Sequence, residues 1–216
     1  DAVSALITAE YIIYEHDHKY LATRDPSKFK DYIAPKSQVV NEFFYNHAKA
    51  VLCQSKGHAD IAAKNLPSAN VVNMSCSVWD KDFVDTVESI DVNDLDRSSV
   101  AAILQSNNPT KNQMKAEFYC QKNQIAYDLI NAANPSELFR KLTKYDSLIF
   151  FPSVYETFCR VVVEAKLAGC KIITNPNLLG VASEQWFSSK KEDILSKIKK
   201  APRETVDTII EIFEQQ

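Results

Sequence analysis

Two glutamates, Glu156 and Glu164, are the residues of this sequence whose type and spacing best suit chemistry. Glu156 follows an apolar run at residues 147–151 that ends at Pro152-Ser153, and Glu164 lies inside an otherwise apolar segment ending near Gly169. If helical geometry held between them, the two carboxylates would lie about 12 Å apart along the axis and about 80° apart around it. Both could then face one elongated ligand.

Glu164 is the more informative of the two. Valine, alanine and leucine residues surround it in the sequence, and a carboxylate in such a segment is costly unless it has a partner. The alternative is that Glu164 occupies a single solvated stripe of the helix beside Lys166. The residue pattern leaves both interpretations open.

The elements that must position these carboxylates alternate between strands and helices. The run at 147–151 carries aromatic residues and no charge, which is typical of a strand buried on both faces of a parallel sheet. The same reasoning predicts strands at 9–15, 50–55, 70–73, 99–105, 124–130 and 171–174, and helices at 28–33, 42–49, 55–66, 113–121 and 135–144. This alternation predicts an α/β fold with doubly wound parallel sheets.

Other expectations concern caps and less regular segments. Ser55 and Ser136 are the expected N-caps of the helices that follow them. Residues 80–96 are acidic, and we expect them to be irregular. The last segment, 190–216, is expected to form two amphipathic helices separated near Pro202.

Composition excludes several classes of protein. The chain has 216 residues, which suffices for one large or two small domains, and its net charge of -3 gives no general attraction to nucleic acid. Its three glycines exclude the G-x-G-x-x-G dinucleotide fingerprint and the Walker loop, which both need glycine for close approach to phosphate.

Cysteine usage and hydropathy bear on location. Five cysteines, an odd number without regular spacing, favour reduced thiols in a cytoplasmic protein. No apolar run reaches the roughly 18 residues that span a bilayer, and the N-terminus lacks a signal pattern. We therefore expect a soluble protein with no transmembrane segment.

Two histidines, His16 and His18, follow the first predicted strand, at the end where open α/β sheets bind ligands. A metal site is not expected, because no Cys or His cluster nearby supplies a further ligand. The alternative for both histidines is an ordinary surface loop. The D-x-D pattern at residues 94–96 is discounted, since matches this short are frequent by chance in an acidic segment.

The string E-T-F-C-R-V-V-V-E, followed by A-x-x-A-G and preceded by a strand ending in Pro-Ser, resembles the E-x7-E motif of retaining glycosyltransferases of the GT-B fold, family 4 in particular. Further resemblance lies at 171–184, 50–55 and 71–83. It implies two Rossmann-like domains with the active site between them. The expected boundaries are a partial N-terminal domain at 1–69, a nearly complete nucleotide-sugar-binding domain at 70–190, and C-terminal helices at 191–216.

The resemblance also implies roles for particular residues. Glu164 would accept hydrogen bonds from the ribose hydroxyls and Glu156 from the sugar hydroxyls, while Lys111 would hold the diphosphate and His16 or His18 would reach the donor sugar. The remaining donor-binding candidates are Ser153, Phe158, Cys159 and Arg160, the last three through backbone N–H groups at a helix start. Cys159 stands where the family usually has glycine, and no arginine matches the one in the family's diphosphate loop.

The implied activity is transfer of a sugar, with retention, from a nucleotide-diphosphate sugar to a glycan, lipid or small-molecule acceptor. The reaction would need no metal, cofactor or protein nucleophile, because its main task is to stabilise the departing diphosphate. Two alternatives stay open. One is a catalytically silent GT-B-like binding module, and the other is a nucleotide-sugar epimerase of the same fold.

Overall fold

The computed structural model describes residues 8–93 and 95–214, so Asp94 of the D-x-D pattern lies outside the described residues. The chain alternates strands and helices, with short 3₁₀ turns between them. The strands are β1 (Ile12–Glu15), β2 (Ala50–Cys53), β3 (Val71–Asn73), β4 (Ser98–Leu104), β5 (Tyr127–Ile130), β6 (Tyr145–Phe150) and β7 (Lys171–Thr174). The helices are α1 (Glu42–Asn46), α2 (Lys56–Asn65), α3 (Lys81–Ser89), α4 (Gln113–Asn123), α5 (Pro135–Leu142), α6 (Arg160–Leu167) and α7 (Lys191–Glu214).

The strands form two parallel sheets, in the orders β1-β2-β3 and β5-β4-β6-β7. In the first sheet Ile13 pairs with Val51 and Val51 with Val71. The architecture is α/β and consistent with a Rossmann-like fold. Nothing in it tests the boundaries at 69 and 190, which stay a prediction.

Strand β6 is covered on both faces, as its sequence predicts. Leu148 and Phe150 point into the large core that also contains α5 and α6, whereas Ile149 points to the opposite side, into a smaller core with Ala116 and Cys120 of α4. Helices therefore cover the second sheet from both sides.

Some local expectations are wrong. Residues 81–89 form helix α3 rather than an irregular segment, because Asp80 caps it by accepting from the Phe83 N–H and because Phe83 and Val87 bury one face. The cap of α5 is Asn134 rather than Ser136, which lies inside the helix. The helix expected at 28–33 consists of two 3₁₀ turns, Pro26–Lys28 and Lys30–Tyr32. Ser55 caps α2 as expected.

The C-terminal segment is one helix, not two, since α7 continues through Pro202. On the N-terminal side of Pro202, Ile194 and Ile198 are buried in the core of the second sheet. On its C-terminal side, Ile209 and Ile212 pack against the first sheet. A single apolar stripe at helical spacing therefore runs through the proline and joins both sheets. No helix among residues 8–93 and 95–214 is long and apolar enough to cross a membrane.

Buried polar contacts also join the two sheets. The Ser55 hydroxyl donates to the Thr157 carbonyl at 2.7 Å. The Glu184 carboxylate accepts from the Lys56 N–H at the start of α2, at 2.6 Å, and from the Ser75 hydroxyl, at 2.5 Å. These contacts fix the loops after β2 and β3 against the loops after β6 and β7.

Candidate functional site

A cleft of about 720 Å³ lies where the carboxyl ends of the two sheets face each other. Its walls come from the loops that follow the strands: His16, Asp17, Gln54, Ser77 and Val78 from the first sheet, and Lys111, Asn134, Glu156, Phe158, Cys159 and Arg160 from the second, with Glu164 behind them. Open α/β sheets bind ligands at this end of their strands, because the helices that follow point their N-termini there.

The second sheet also has a topological switch point inside this cleft. Strands β4 and β6 are neighbours, but the chain leaves β4 towards β5 on one side and leaves β6 towards β7 on the other. The loops after β4 and β6 therefore separate to opposite faces, which opens a crevice between them. Lys111 lies in the first of these loops and Glu156 in the second.

Lys111 and Glu156 form an ion pair across that crevice. The lysine ammonium lies 2.8 Å and 2.9 Å from the two carboxylate oxygens, and the side chains are 29% and 14% exposed. The sequence predicted both residues for the site. It assigned Glu156 to the sugar hydroxyls and Lys111 to the diphosphate, and it did not predict that the two side chains contact each other. In the described structure each is the other's counter-ion, so an anionic ligand must compete with Glu156 for Lys111.

Glu164 is buried, with 3% of its surface exposed, so the solvated-stripe alternative is wrong. Its Oε1 accepts a hydrogen bond from the indole N–H of Trp79 at 2.9 Å, and the Arg160 guanidinium lies 3.9 Å away. Burial raises the pKa of Glu164, and the Trp79 hydrogen bond and the Arg160 charge partly oppose that shift. Sequence reasoning missed Trp79, which lies far from Glu164 in the chain.

The start of α6 turns sharply at Cys159. This residue has φ 76° and ψ 72°, in the left-handed region that favours glycine. Phe158 is buried against Trp79 and Trp186, with ring centroids 5.9 Å and 6.1 Å away. No hydrogen bond within residues 8–93 and 95–214 occupies the N–H groups of Phe158, Cys159 or Arg160.

The two candidate histidines lie in different environments. His16 is exposed and lines the cleft, and its carbonyl accepts from the Thr157 hydroxyl at 2.6 Å. His18 is 1% exposed, and its Nδ1 lies 2.7 Å from the Tyr20 hydroxyl. Burial, and then the neighbouring His58, lower the pKa of His18 to about 3. His18 therefore lies behind the main cleft, in contact with Tyr155 at a ring distance of 5.7 Å.

Ser153 does not line the cleft, but it supports the loop that carries Lys111. Its N–H donates to the Thr110 carbonyl at 2.9 Å, and its hydroxyl lies 3.3 Å from the Pro109 carbonyl. Ser153 thereby ties the end of β6 to the residues just before Lys111.

Glu15, the last residue of β1, is a further residue that sequence reasoning missed. Its carboxylate accepts from the N–H groups of His16, Asp17 and Lys19, at 3.0, 2.9 and 3.2 Å, and from the Tyr45 hydroxyl. Burial alone would raise the pKa of Glu15, but these hydrogen bonds outweigh it and the pKa is lowered. The sequence feature that could have identified Glu15 is its charge at the end of a strand that is otherwise apolar.

Comparison with models of known protein families finds no match to this chain, and comparison with curated proteins finds none either. The described residues contain no group of three or more His, Cys, Asp or Glu side chains that could hold a metal ion. The structure gives the α/β class, and the likeness to glycosyltransferases is one of the sequence string alone.

Proposed function

We propose that the chain is a GT-B glycosyltransferase, which binds a nucleotide-diphosphate sugar in the cleft and transfers its sugar with retention. One observation carries the proposal. The buried Glu164, the unoccupied N–H groups at the start of α6, and the Lys111–Glu156 pair all line the same cleft between two parallel sheets. This set offers acceptors for hydroxyl groups and donors for phosphate within one elongated site.

In this proposal Glu164 binds the ribose. Trp79 occupies Oε1 and fixes the side chain, while no hydrogen bond among the described residues occupies Oε2. A carboxylate held in this way accepts strongly from hydroxyl groups. Because Trp79 already holds the Glu164 side chain in place, little entropy of that side chain is lost on binding.

The diphosphate lies at the start of α6 and beside Lys111. The free N–H groups and the helix dipole favour an anion there, and they act most strongly as charge accumulates on the leaving group. The bond from the anomeric carbon to the diphosphate oxygen breaks, and its electron pair stays on the diphosphate. The acceptor oxygen bonds to the same face of that carbon, and its proton passes to the departing diphosphate.

Glu156 and Lys111 exchange partners in this scheme. Glu156 accepts from sugar hydroxyls when the donor binds, and this releases the ammonium of Lys111 towards the phosphates. The ion pair keeps both charges neutralised until a ligand replaces each partner.

Calorimetric titration of Glu164→Gln and Glu156→Gln tests these roles. We expect Glu164→Gln to weaken a free nucleoside diphosphate and the intact nucleotide sugar alike, by about 1.5 to 3 kcal/mol, because a charge-assisted hydrogen bond becomes a neutral one. Glu156→Gln should weaken the nucleotide sugar relative to the free nucleoside diphosphate, since its proposed partners are on the sugar, and the free diphosphate should bind at least as tightly as to wild type because Lys111 loses its competing counter-ion. Glu192→Gln, an exposed change at the start of α7, is the matched control.

The titrations are run in a chelator, because the proposed site needs no metal. Equal losses for both ligands in both variants would mark the carboxylates as structural residues. Loss of all nucleotide binding in chelator, with recovery in Mg²⁺ or Mn²⁺, would contradict the GT-B proposal.

The silent binding module remains the second candidate, and the Lys111–Glu156 pair favours it, since the cation proposed for the leaving group is already neutralised. The two functions differ in turnover. A transferase releases nucleoside diphosphate when donor and acceptor are mixed, whereas a module binds donor and releases none across a panel of glycan, lipid and small-molecule acceptors.

The proposed compartment is the cytoplasm. All five cysteines are free thiols and all are buried, which fits a reducing environment.

A further inference from the structure

A second pocket, of about 430 Å³, adjoins the main cleft on the far side of the Glu156 loop. Its walls include Asp17, His18, Arg24, Asn108 and Tyr155. The two cavities share His16, Asp17, Lys111, Glu156 and Thr157. The Lys111–Glu156 pair thus forms a common wall, and a molecule in the second pocket would meet a donor sugar there.

Arg24 supplies this pocket with a cation that has no counter-ion. Lys111 is paired with Glu156, and Asp17 lies 4.0 Å from the Lys19 ammonium, but no described carboxylate pairs with the Arg24 guanidinium. The Arg24 backbone is held at φ 51°, in the left-handed region, by a turn in which its N–H donates to the Leu21 carbonyl at 3.0 Å. A guanidinium is well suited to phosphate, which it binds through two parallel hydrogen bonds.

The other walls of the pocket suit hydroxyl groups. The Asp17 carboxylate can accept from hydroxyls, and Asn108, whose side-chain oxygen accepts from Thr110 at 3.0 Å and 2.8 Å, keeps its NH₂ group as a donor. The buried Nε2 of His18 has no hydrogen-bond partner among the described residues. This atom has almost no accessible surface, so the contacts with hydroxyl groups are assigned to Asp17 and Asn108.

We infer that this pocket binds the acceptor, and that the acceptor is a small polyhydroxylated molecule carrying a phosphate monoester. The phosphate lies on Arg24, the hydroxyl groups contact Asp17 and Asn108, and the hydroxyl that receives the sugar faces the Lys111–Glu156 wall. This inference rests on the proposed function and names its acceptor class.

Phosphorus NMR with glucose 6-phosphate as the probe tests the inference. We expect the resonance of the probe to broaden with the wild-type protein, and we expect Arg24→Gln to weaken binding at least tenfold, about 1.4 kcal/mol. Arg24→Lys should recover part of the loss, because it keeps the charge but not the two-bond geometry. Lys28→Gln, which removes an exposed cation of the same segment that does not line the pocket, should change nothing.

Competition separates this site from the donor site. Saturating nucleoside diphosphate should leave the binding of glucose 6-phosphate unchanged, and Arg24→Gln should keep wild-type affinity for the nucleotide. Inorganic phosphate and glucose should each bind more weakly than the sugar phosphate. The inference is overturned if the probe does not bind, if Arg24→Gln binds it as tightly as wild type, if inorganic phosphate matches it, or if nucleotide displaces it. A failure of the proposed function would appear instead as loss of nucleotide binding in the wild-type protein.

Discussion

At the residue scale, Cys159 combines two opposing contributions to stability. Its side chain is buried at the start of α6, and burial raises the pKa of its thiol, so it stays protonated and packs as an apolar group. Its backbone, however, lies at φ 76°, where a Cβ atom is unfavourable by about 1 to 2 kcal/mol. Cys159 also lines the cleft at the start of α6, where we place the diphosphate.

We expect Cys159→Gly to be more stable than Cys159→Ala by about 1 kcal/mol, because only glycine relieves the left-handed backbone. Cys120, buried within the regular turns of α4, is the matched control. There the order should reverse, with alanine more stable than glycine by about 1 kcal/mol. Urea unfolding of the four variants measures both differences, and the same order at both positions would show that Cys159 is not strained.

The sequence identified the residues of the site better than their partners. Glu164 could be predicted because it is a charged residue in an otherwise apolar segment, whereas Glu156 and Lys111 were predicted from the resemblance to the E-x7-E glycosyltransferases. Their contacts could not be predicted, since Trp79 and Glu164 lie 85 residues apart and Lys111 and Glu156 lie 45 apart. Which partners meet depends on the order of strands in the sheet, and local periodicity does not determine that order.

At the scale of elements, strands were easier to predict than helix ends. Buried parallel strands such as β6 read as continuous apolar runs. Helix α3 was not predicted, because the many acidic residues of this segment made its short apolar face difficult to recognise in the sequence. The signal for it was present, since Asp80 is a good cap and Phe83 and Val87 are spaced four apart. Helix α7 was divided wrongly at Pro202, because a proline normally ends a helix unless packing on both sides holds it.

We expect Pro202→Ala to raise the free energy of unfolding by about 1 to 2 kcal/mol. Pro202 is exposed, so alanine removes no buried surface, and it restores the hydrogen bond that proline cannot donate to Ile198. The expected gain is smaller than the full cost of a proline inside a helix. Proline also restricts the unfolded chain, and alanine gives up that part of the stabilisation. Thermal unfolding should show a rise of roughly 2 to 4 °C per kcal/mol.

Lys200→Ala, an exposed change in the same helix, is the control and should stay within about 0.5 kcal/mol of wild type. A Pro202→Ala protein that is no more stable than wild type would mean that packing on the two sheets already compensates fully for the proline.

At the scale of the whole molecule, two buried histidines lie in the first sheet's half, close to the junction of the sheets. The rings of His18 and His58 are 4.8 Å apart, and the Nδ1 of His58 accepts from the Gln54 N–H at 3.2 Å, which requires a neutral ring. Burial lowers the pKa of each to about 3, and the neighbouring histidines lower it further in the same direction. Unfolding therefore takes up protons below the ordinary histidine pKa.

The sign of the resulting pH dependence follows from these pKa values. Both groups stabilise the fold fully above about pH 6.5, and that stability is lost as the pH falls towards 3, by up to about 1.4 kcal/mol per pH unit for each histidine. We expect His58→Gln to flatten this decline between pH 6.5 and 5. His47→Gln, at an exposed histidine, should leave the slope unchanged.

Urea unfolding at several pH values measures the slopes. Below about pH 4.5 Glu15 adds a second decline, because its lowered pKa means that stability is lost as the carboxylate is protonated. A wild-type protein whose stability is flat from pH 7 to 5 would show that the two imidazoles are not neutral and buried as described.

Helix α7 limits how the cleft can open. It is packed on the second sheet through Ile194 and Ile198 and on the first through Ile209 and Ile212, so the two halves cannot separate unless this rod bends or one end detaches. Bending is easiest at Pro202, where one backbone hydrogen bond is already missing. The proline thus sets the stiffness of the connection. We expect the more stable alanine variant to open its cleft more slowly.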